Sequence, residues 1–177
     1  GQEGTDVDMM AVRFPHRREL AFSEHPIDDH PVFSSQGQID LIIAEVKHSL
    51  CNLNGPWTRP ERQNMQRVLY AIGAFPEERI NGVAQALYEQ QYYQDHMYRF
   101  RLFALGMYRN VDLPAPVVQI TWDEIARFIF ERFTGYEAFK TQHRQWDVAG
   151  QRLFRLAIEH RRNRDEFVEL ITSGLVA

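Results

Sequence analysis

The 177-residue sequence contains one cysteine, two lysines and no long run of apolar residues. A single cysteine, Cys51, excludes a disulfide framework and any zinc site with several cysteine ligands, which fits a reducing cytosol. No apolar run approaches the roughly 18 residues of a membrane-spanning helix. No basic leader followed by an apolar stretch opens the sequence. We therefore predict a cytoplasmic protein that does not associate with membranes.

The sequence also lacks an excess of basic charge and a glycine-rich phosphate loop. It has 24 acidic and 20 basic residues and a formal net charge of −4, which excludes a globally basic nucleic-acid binder. A local basic groove around an acidic site remains compatible with this charge. Hydrophobic residues make up 44% of the chain, which is enough for a real core and excludes a disordered tail.

Strand-like and helix-like segments alternate along the chain. This alternation predicts an α/β fold with a central mixed sheet flanked by helices. The predicted strands are 5–14, 38–47, 98–107 and 117–120. Two predicted helices begin with a capping box: 58–75, with the box at Thr58 and Glu61, and a helix that starts at the box formed by Thr121 and Glu124. The other predicted helices are 83–91 and a helical stretch over about 136–171. The segment 15–38 has three prolines and no clear period, so we predict a long loop.

Glu45 and Lys47 end the apolar strand 38–47 and point to the same side of it, because residues two apart share a face. A charged pair buried at a sheet edge is costly unless it belongs to a network or serves a function. Asp40 lies at an odd offset from Glu45 and should face the opposite way. A second acid should come from a neighbouring strand, and Asp8 is the natural candidate.

Two carboxylates from adjacent strands, together with a carbonyl oxygen, form an oxygen-only site that suits Mg²⁺, with Mn²⁺ as a substitute. A nearby lysine can stabilise or deprotonate a water that attacks a phosphodiester, while the metal polarises the phosphoryl oxygen. Lysine is scarce here, with two residues against 18 arginines, and its compact ammonium is not equivalent to a guanidinium in a tight site.

Asp8 followed by Glu45-Val46-Lys47 resembles the PD-(D/E)XK nuclease superfamily, which has the restriction-endonuclease-like fold. The stretch 4–11 is similar to the acid-bearing second core strand of that family, and 39–47 to its third strand. The resemblance implies that Asp8 and Glu45 bind the metal, that the Val46 carbonyl is a further ligand, and that Lys47 is catalytic. It also implies a core of one helix, three strands, a helix and a strand.

Further expectations follow from the same resemblance. The helix after the Glu-x-Lys strand often carries polar residues near the site in this superfamily, and the candidates here for nucleic-acid contact are Arg62, Gln63, Gln66 and Arg67. Only seven residues precede Asp8, so we expect the family's first helix and strand to be missing from this sequence. We therefore expect a nuclease-like core over 1–135, a helical extension over 136–177 packed on it, and a protein that is a homodimer or part of a larger polypeptide.

The predicted function is a Mg²⁺-dependent nuclease that hydrolyses phosphodiester bonds, most plausibly in DNA. One alternative is a catalytically silent domain of the same fold that acts in nucleic-acid binding or protein assembly, since fold does not dictate activity. A second alternative is a mainly helical interaction protein, for which the strands above would be misassigned.

Overall fold

The computed structural model describes residues 7–19, 24, 27, 29–34, 37–142 and 146–174. The chain divides into two compact units, 1–119 and 120–177. Among the described residues, no helix is both long enough and apolar enough to cross a membrane.

A mixed five-stranded sheet forms the centre of the first unit, as the sequence predicted for an α/β fold. Four strands lie in the order β1-β2-β4-β3, and β5 also pairs with β4. β2 runs antiparallel to β1 and parallel to β4, while β3 is antiparallel to β4. The strands are β1 (Met9–Arg13), β2 (Ile39–Val46), β3 (Tyr92–Gln94), β4 (Tyr98–Gly106) and β5 (Val118–Thr121).

The two central strands are buried because both carry apolar residues on both faces. β2 is buried from Asp40 to Glu45, and β4 from Phe100 to Gly106. This is the pattern expected of a strand in a covered sheet. One face packs against two helices, α2 (Asn64–Ile72) and α3 (Glu77–Gln90), in a core that includes Leu41, Ile43, Phe100, Leu102, Met65, Leu69, Ile80 and Leu87.

The predicted capping box at Thr58 and Glu61 is wrong. Thr58 is the last residue of a four-residue helix, α1 (Gly55–Thr58), and its hydroxyl donates to the Gly55 carbonyl at 3.5 Å. Arg59 is extended, with φ −121° and ψ 94°, because a residue that precedes a proline avoids the helical region. A 3₁₀ turn over Pro60–Arg62 follows, and α2 begins only at Asn64.

Helix α2 ends earlier than predicted, and α3 begins earlier. Gly73 has φ +66° and terminates α2, so the helix does not reach the predicted end at 75. Helix α3 starts at Glu77, directly after Pro76, and not at the predicted residue 83. Its first turn contains the polar residues Glu77 and Glu78, but it is part of the helix and buries Ile80. Strand β3 was not predicted, since it is only three residues long and directly follows Gln91 in a left-handed conformation.

The segment 15–38, predicted as a long loop, contains little regular structure among its described residues. Pro31–Phe33 forms a 3₁₀ turn, and Glu19 and Ile27 form an isolated bridge. Phe33 stacks on Phe103 of β4, with the ring centroids 5.7 Å apart. The end of this segment therefore covers part of the sheet face opposite α2 and α3.

The described residues of the second unit form four helices: α4 (Trp122–Gly135), α5 (Glu137–Gln142), α6 (Val148–Glu159) and α7 (Arg164–Gly174). The predicted capping box is present, since the Thr121 hydroxyl accepts from the Glu124 N–H and the Glu124 carboxylate accepts from the Thr121 N–H. Phe130 of α4 packs against Phe167 of α7. Helix α4 therefore groups with the helices that follow it, and the boundary between the compact units lies at 119/120, whereas the predicted domain boundary is at 135/136.

Candidate active site at the end of strands β1 and β2

Asp8 and Val46 meet at one end of the β1–β2 pair. The last paired residues there are Met9 and Ala44, so Asp8 and Glu45 occupy the next opposed positions in register. Oδ2 of Asp8 accepts a hydrogen bond from the backbone N–H of Val46 at 2.8 Å. The structure thus brings Asp8 beside the peptide that joins Glu45 to Val46, although 36 residues separate the two acids.

The carbonyl oxygen of Val46 points to the same side as Asp8. The N–H of Lys47 donates to the Leu105 carbonyl of β4 at 2.8 Å. In a planar trans peptide the N–H and the preceding C=O point in opposite directions, so the Val46 carbonyl points away from β4 and toward the β1 side. The N–H and the C=O of Val46 therefore both lie on the side that Asp8 occupies.

Glu45 is 1% exposed, and three side chains donate hydrogen bonds to its carboxylate. Oε1 accepts from Nζ of Lys47 at 2.5 Å and from the side-chain amide of Asn54. Oε2 accepts from the indole N–H of Trp57 at 2.9 Å. Because an ionised carboxylate has about four acceptor positions, a further one remains on Oε2 beside these three bonds.

Lys47 is fixed by two partners. Its ammonium contacts Glu45 and also donates to Oδ1 of Asn54 at 2.7 Å, so the three side chains form a closed hydrogen-bonded triangle. The Lys47 side chain is 27% exposed and Asn54 is exposed, so the triangle is open to solvent on that side. The three charged groups Asp8, Glu45 and Lys47 carry a formal net charge of −1, which favours a bound cation.

Asn54 and Trp57 are site residues that the sequence analysis missed. The sequence Asn54-Gly-Pro-Trp57 indicated only a turn, and the structure shows that this turn directs both side chains onto Glu45. Gly106 permits this path, because a Cβ there would lie 2.8 Å from backbone atoms of Ser49 and Cys51. The available signal was Trp57 itself, since a buried indole N–H usually needs an acceptor.

The donor atoms at this end of the sheet are of the type that Mg²⁺ prefers. Among the described residues, no group of three or more His, Cys, Asp and Glu side chains could hold a metal. Mg²⁺ does not require such a group, because it keeps several waters and commonly binds one or two carboxylates. Asp8, Glu45 and the Val46 carbonyl offer oxygen ligands only, and these are the residues that would hold the ion.

The four polar residues predicted near the site follow α1: Arg62 ends the 3₁₀ turn, Gln63 links the turn to α2, and Gln66 and Arg67 lie in the first half of α2. Gln63 has a left-handed backbone with φ 54°, and Arg62 and Arg67 are exposed. Gln66 is half-buried, and its Oε1 is a buried atom without a hydrogen-bond partner among the described residues. Contact of Arg62, Gln63, Gln66 and Arg67 with nucleic acid stays a prediction.

Asp40 faces away from the site, as its odd offset from Glu45 predicted. It is fully buried on the other face of the sheet, where its carboxylate is hydrogen-bonded to the guanidinium groups of Arg99 and Arg101. Arg99 also donates to the Ser34 carbonyl and Arg101 to the Val32 carbonyl, so the two arginines tie the 3₁₀ turn and the residue after it to the sheet. Asp40 is therefore a structural residue.

Comparison of the chain with protein-family models, with curated proteins and with solved structures finds no match.

Proposed function

We propose that the chain is a restriction-endonuclease-like nuclease domain that hydrolyses phosphodiester bonds in DNA, with Mg²⁺ as cofactor. The observation that carries the proposal is the contact of Asp8 with the Val46 N–H at 2.8 Å. This contact puts one carboxylate beside the Glu45-Val46-Lys47 stretch, which carries a second carboxylate, an outward carbonyl and an ammonium. These are the groups that a metal-dependent phosphodiesterase needs.

Each residue has a distinct chemical role in this proposal. Asp8, Glu45 and the Val46 carbonyl would hold the cation, and a cation bound there would supply Lewis-acid stabilisation of the charge that develops on the phosphate. Lys47 positions the attacking water and stabilises the developing negative charge through its ammonium. Asn54 and Trp57 are positioning residues, because their hydrogen bonds fix the Glu45 carboxylate and the Lys47 ammonium before substrate binds.

One observation favours the alternative, a catalytically silent domain of the same fold. Glu45 is almost completely buried and already accepts three hydrogen bonds, so its network with Lys47, Asn54 and Trp57 is also consistent with a purely structural role. In that case the domain acts by binding nucleic acid or by assembling with another protein. Binding without cleavage distinguishes this alternative from the nuclease.

The test is a cleavage assay with the purified chain. Labelled duplex DNA, single-stranded DNA and RNA are incubated with Mg²⁺, with Mn²⁺ and with EDTA, and the products are separated by size. The variants are Asp8→Asn, Glu45→Gln and Lys47→Ala. Lys140→Ala is the matched control, because Lys140 is the other lysine of the chain and lies on α5.

We expect cleavage that requires Mg²⁺ or Mn²⁺ in the wild type and in Lys140→Ala. The three site variants should lose at least a hundredfold in rate while keeping the circular dichroism spectrum of the wild type. Undiminished cleavage by folded Glu45→Gln and Lys47→Ala would refute the assignment. Nucleic-acid binding without any metal-dependent cleavage would support the silent domain instead.

A further inference from the structure

A small basic cavity lies at the opposite end of strand β1 from Asp8. Its volume is about 200 Å³. Its described lining includes three arginines, Arg13, Arg17 and Arg18, but only one acid, Asp29, so these four side chains carry a formal charge of +2. The buried side chain of Ile27 also contributes to the wall. A cavity with this charge attracts an anion.

The cavity holds a buried hydrogen-bond donor that has no acceptor. Nε of Arg13 donates to Oδ2 of Asp29 at 2.9 Å, but Nη1 of Arg13 is buried and has no partner among the described residues. The Arg13 side chain is only 17% exposed, so solvent reaches it poorly. An unsatisfied buried donor of a charged group costs free energy, and an oxyanion in the cavity would remove that cost.

Asp29 cannot neutralise the cluster. Its two oxygens lie between Arg13 and Arg17, and Nη1 of Arg17 donates to Oδ1 at 2.5 Å. Burial raises the pKa of Asp29, but the hydrogen bonds and charges of the two arginines outweigh this and leave the pKa below its ordinary value. The carboxylate is therefore ionised at neutral pH, and the described lining of the cavity holds no second acid for the other two guanidinium charges.

We infer that this cavity binds a phosphate group of a nucleic-acid backbone through Arg13, Arg17 and Arg18. The guanidinium fork is suited to phosphate oxygens, and such contacts position a protein on nucleic acid without reading its sequence. The inference rests on the proposed function, because it takes the bound anion to be part of the same nucleic acid that is cleaved at the site of Asp8, Glu45 and Lys47.

The length of β1 sets the separation of the two sites. Arg13 lies five residues after Asp8, which corresponds to about 17 Å along an extended strand. One nucleic-acid molecule of several nucleotides can therefore reach both sites at once, with one backbone phosphate in the cavity and another beside Asp8 and Glu45.

The test measures binding separately from cleavage. The affinity of the full chain for labelled duplex and single-stranded DNA is followed by fluorescence anisotropy in EDTA over a range of salt concentrations. Arg17→Ala combined with Arg18→Ala removes two cavity charges from exposed positions. Arg152→Ala combined with Arg155→Ala on α6 is the control, because it removes the same charge from exposed positions elsewhere.

The slope of log affinity against log salt is negative, and for duplex DNA we expect the cavity variant to reduce its magnitude by about 0.9, the value for one lost phosphate contact. The control variant should change the slope by much less. This result supports the cavity as a phosphate site whether or not the chain cleaves DNA. Equal changes in the two variants, an unchanged slope in the cavity variant, or no binding by the wild type would overturn the inference.

Discussion

Trp57 donates its indole N–H to Oε2 of Glu45 at 2.9 Å, and each of the two residues is 1% exposed. The bond joins the end of β2 to helix α1 and gives the buried carboxylate a donor that solvent cannot replace. Lys47 and Asn54 complete its surroundings. The conformation of the candidate site therefore depends on this buried contact as well as on the charged pair that the sequence makes visible.

Replacing Trp57 by Phe should lower the free energy of unfolding by about 1–3 kcal/mol, because Oε2 of Glu45 then lies buried without this donor. Urea unfolding followed by circular dichroism measures the change. Trp122→Phe is the matched control, since Nε1 of Trp122 is already buried without a partner among the described residues. Losses of equal size in the two variants would show that the hydrogen bond to Glu45 contributes nothing.

Replacing Asp40 by Asn should destabilise the protein by about 3–5 kcal/mol, because two buried guanidinium groups then lose their shared counter-charge. The mutation also loosens the chain next to the 3₁₀ turn, which Arg99 and Arg101 hold against the sheet. Asp112→Asn is the control, because Asp112 is exposed. A shift of the unfolding midpoint no larger than that of the control would contradict the structural role of Asp40.

Asp95 should make stability depend on acid pH. Burial raises its pKa, but hydrogen bonds from the N–H groups of Tyr98 and Met97 and from the Arg79 and Tyr93 side chains outweigh this, and they hold the pKa well below its usual range. The pKa is thus lower in the folded than in the unfolded chain. The stabilisation is fully present above about pH 4, the pKa of an unfolded aspartate, and it is lost as the pH falls below that value.

Asp95→Asn should therefore cost about 2 kcal/mol at pH 7, because its hydrogen bonds lose their charged acceptor. The difference from the wild type should shrink as the pH falls toward 3. Urea unfolding of both proteins over that pH range measures it, with Asp112→Asn as the reference for an exposed aspartate. A difference that stays constant down to pH 3 would contradict the assigned cause.

The parts of the fold that the sequence predicts are those with a strong local pattern. β2 could be predicted because four consecutive apolar residues need a covered sheet, and α4 could be predicted because Thr121 and Glu124 form a complete capping box. The same motif at Thr58 and Glu61 misled, since Pro60 sets the conformation of the preceding residue and a separate short helix ends at Thr58. Local motifs fail where a neighbouring proline or a tight turn imposes a different backbone.

The residues of the candidate site also fall into two groups, those that the sequence predicts and those that it does not. Glu45 and Lys47 share a strand, and Asp8 could be paired with them because apolar strands with terminal acids were expected to be neighbours. Asn54 and Trp57 could not be assigned to the site from sequence, because their contacts depend on how the chain crosses the end of β4 at Gly106. The local sequence pattern shows which residues share a strand and a face of it. The path of a turn that folds back onto a strand depends on tertiary packing.

Binding of Mn²⁺, measured from the electron paramagnetic resonance signal of the free ion, tests whether Asp8 and Glu45 share a divalent cation. The wild type should bind one ion that Mg²⁺ displaces. Asp8→Asn should weaken this binding at least tenfold, or about 1.4 kcal/mol, and leave the fold intact because Asp8 is exposed. Asp112→Asn should bind like the wild type. Equal affinity in the Asp8 and Asp112 variants would mean that Asp8 and Glu45 do not share a divalent cation.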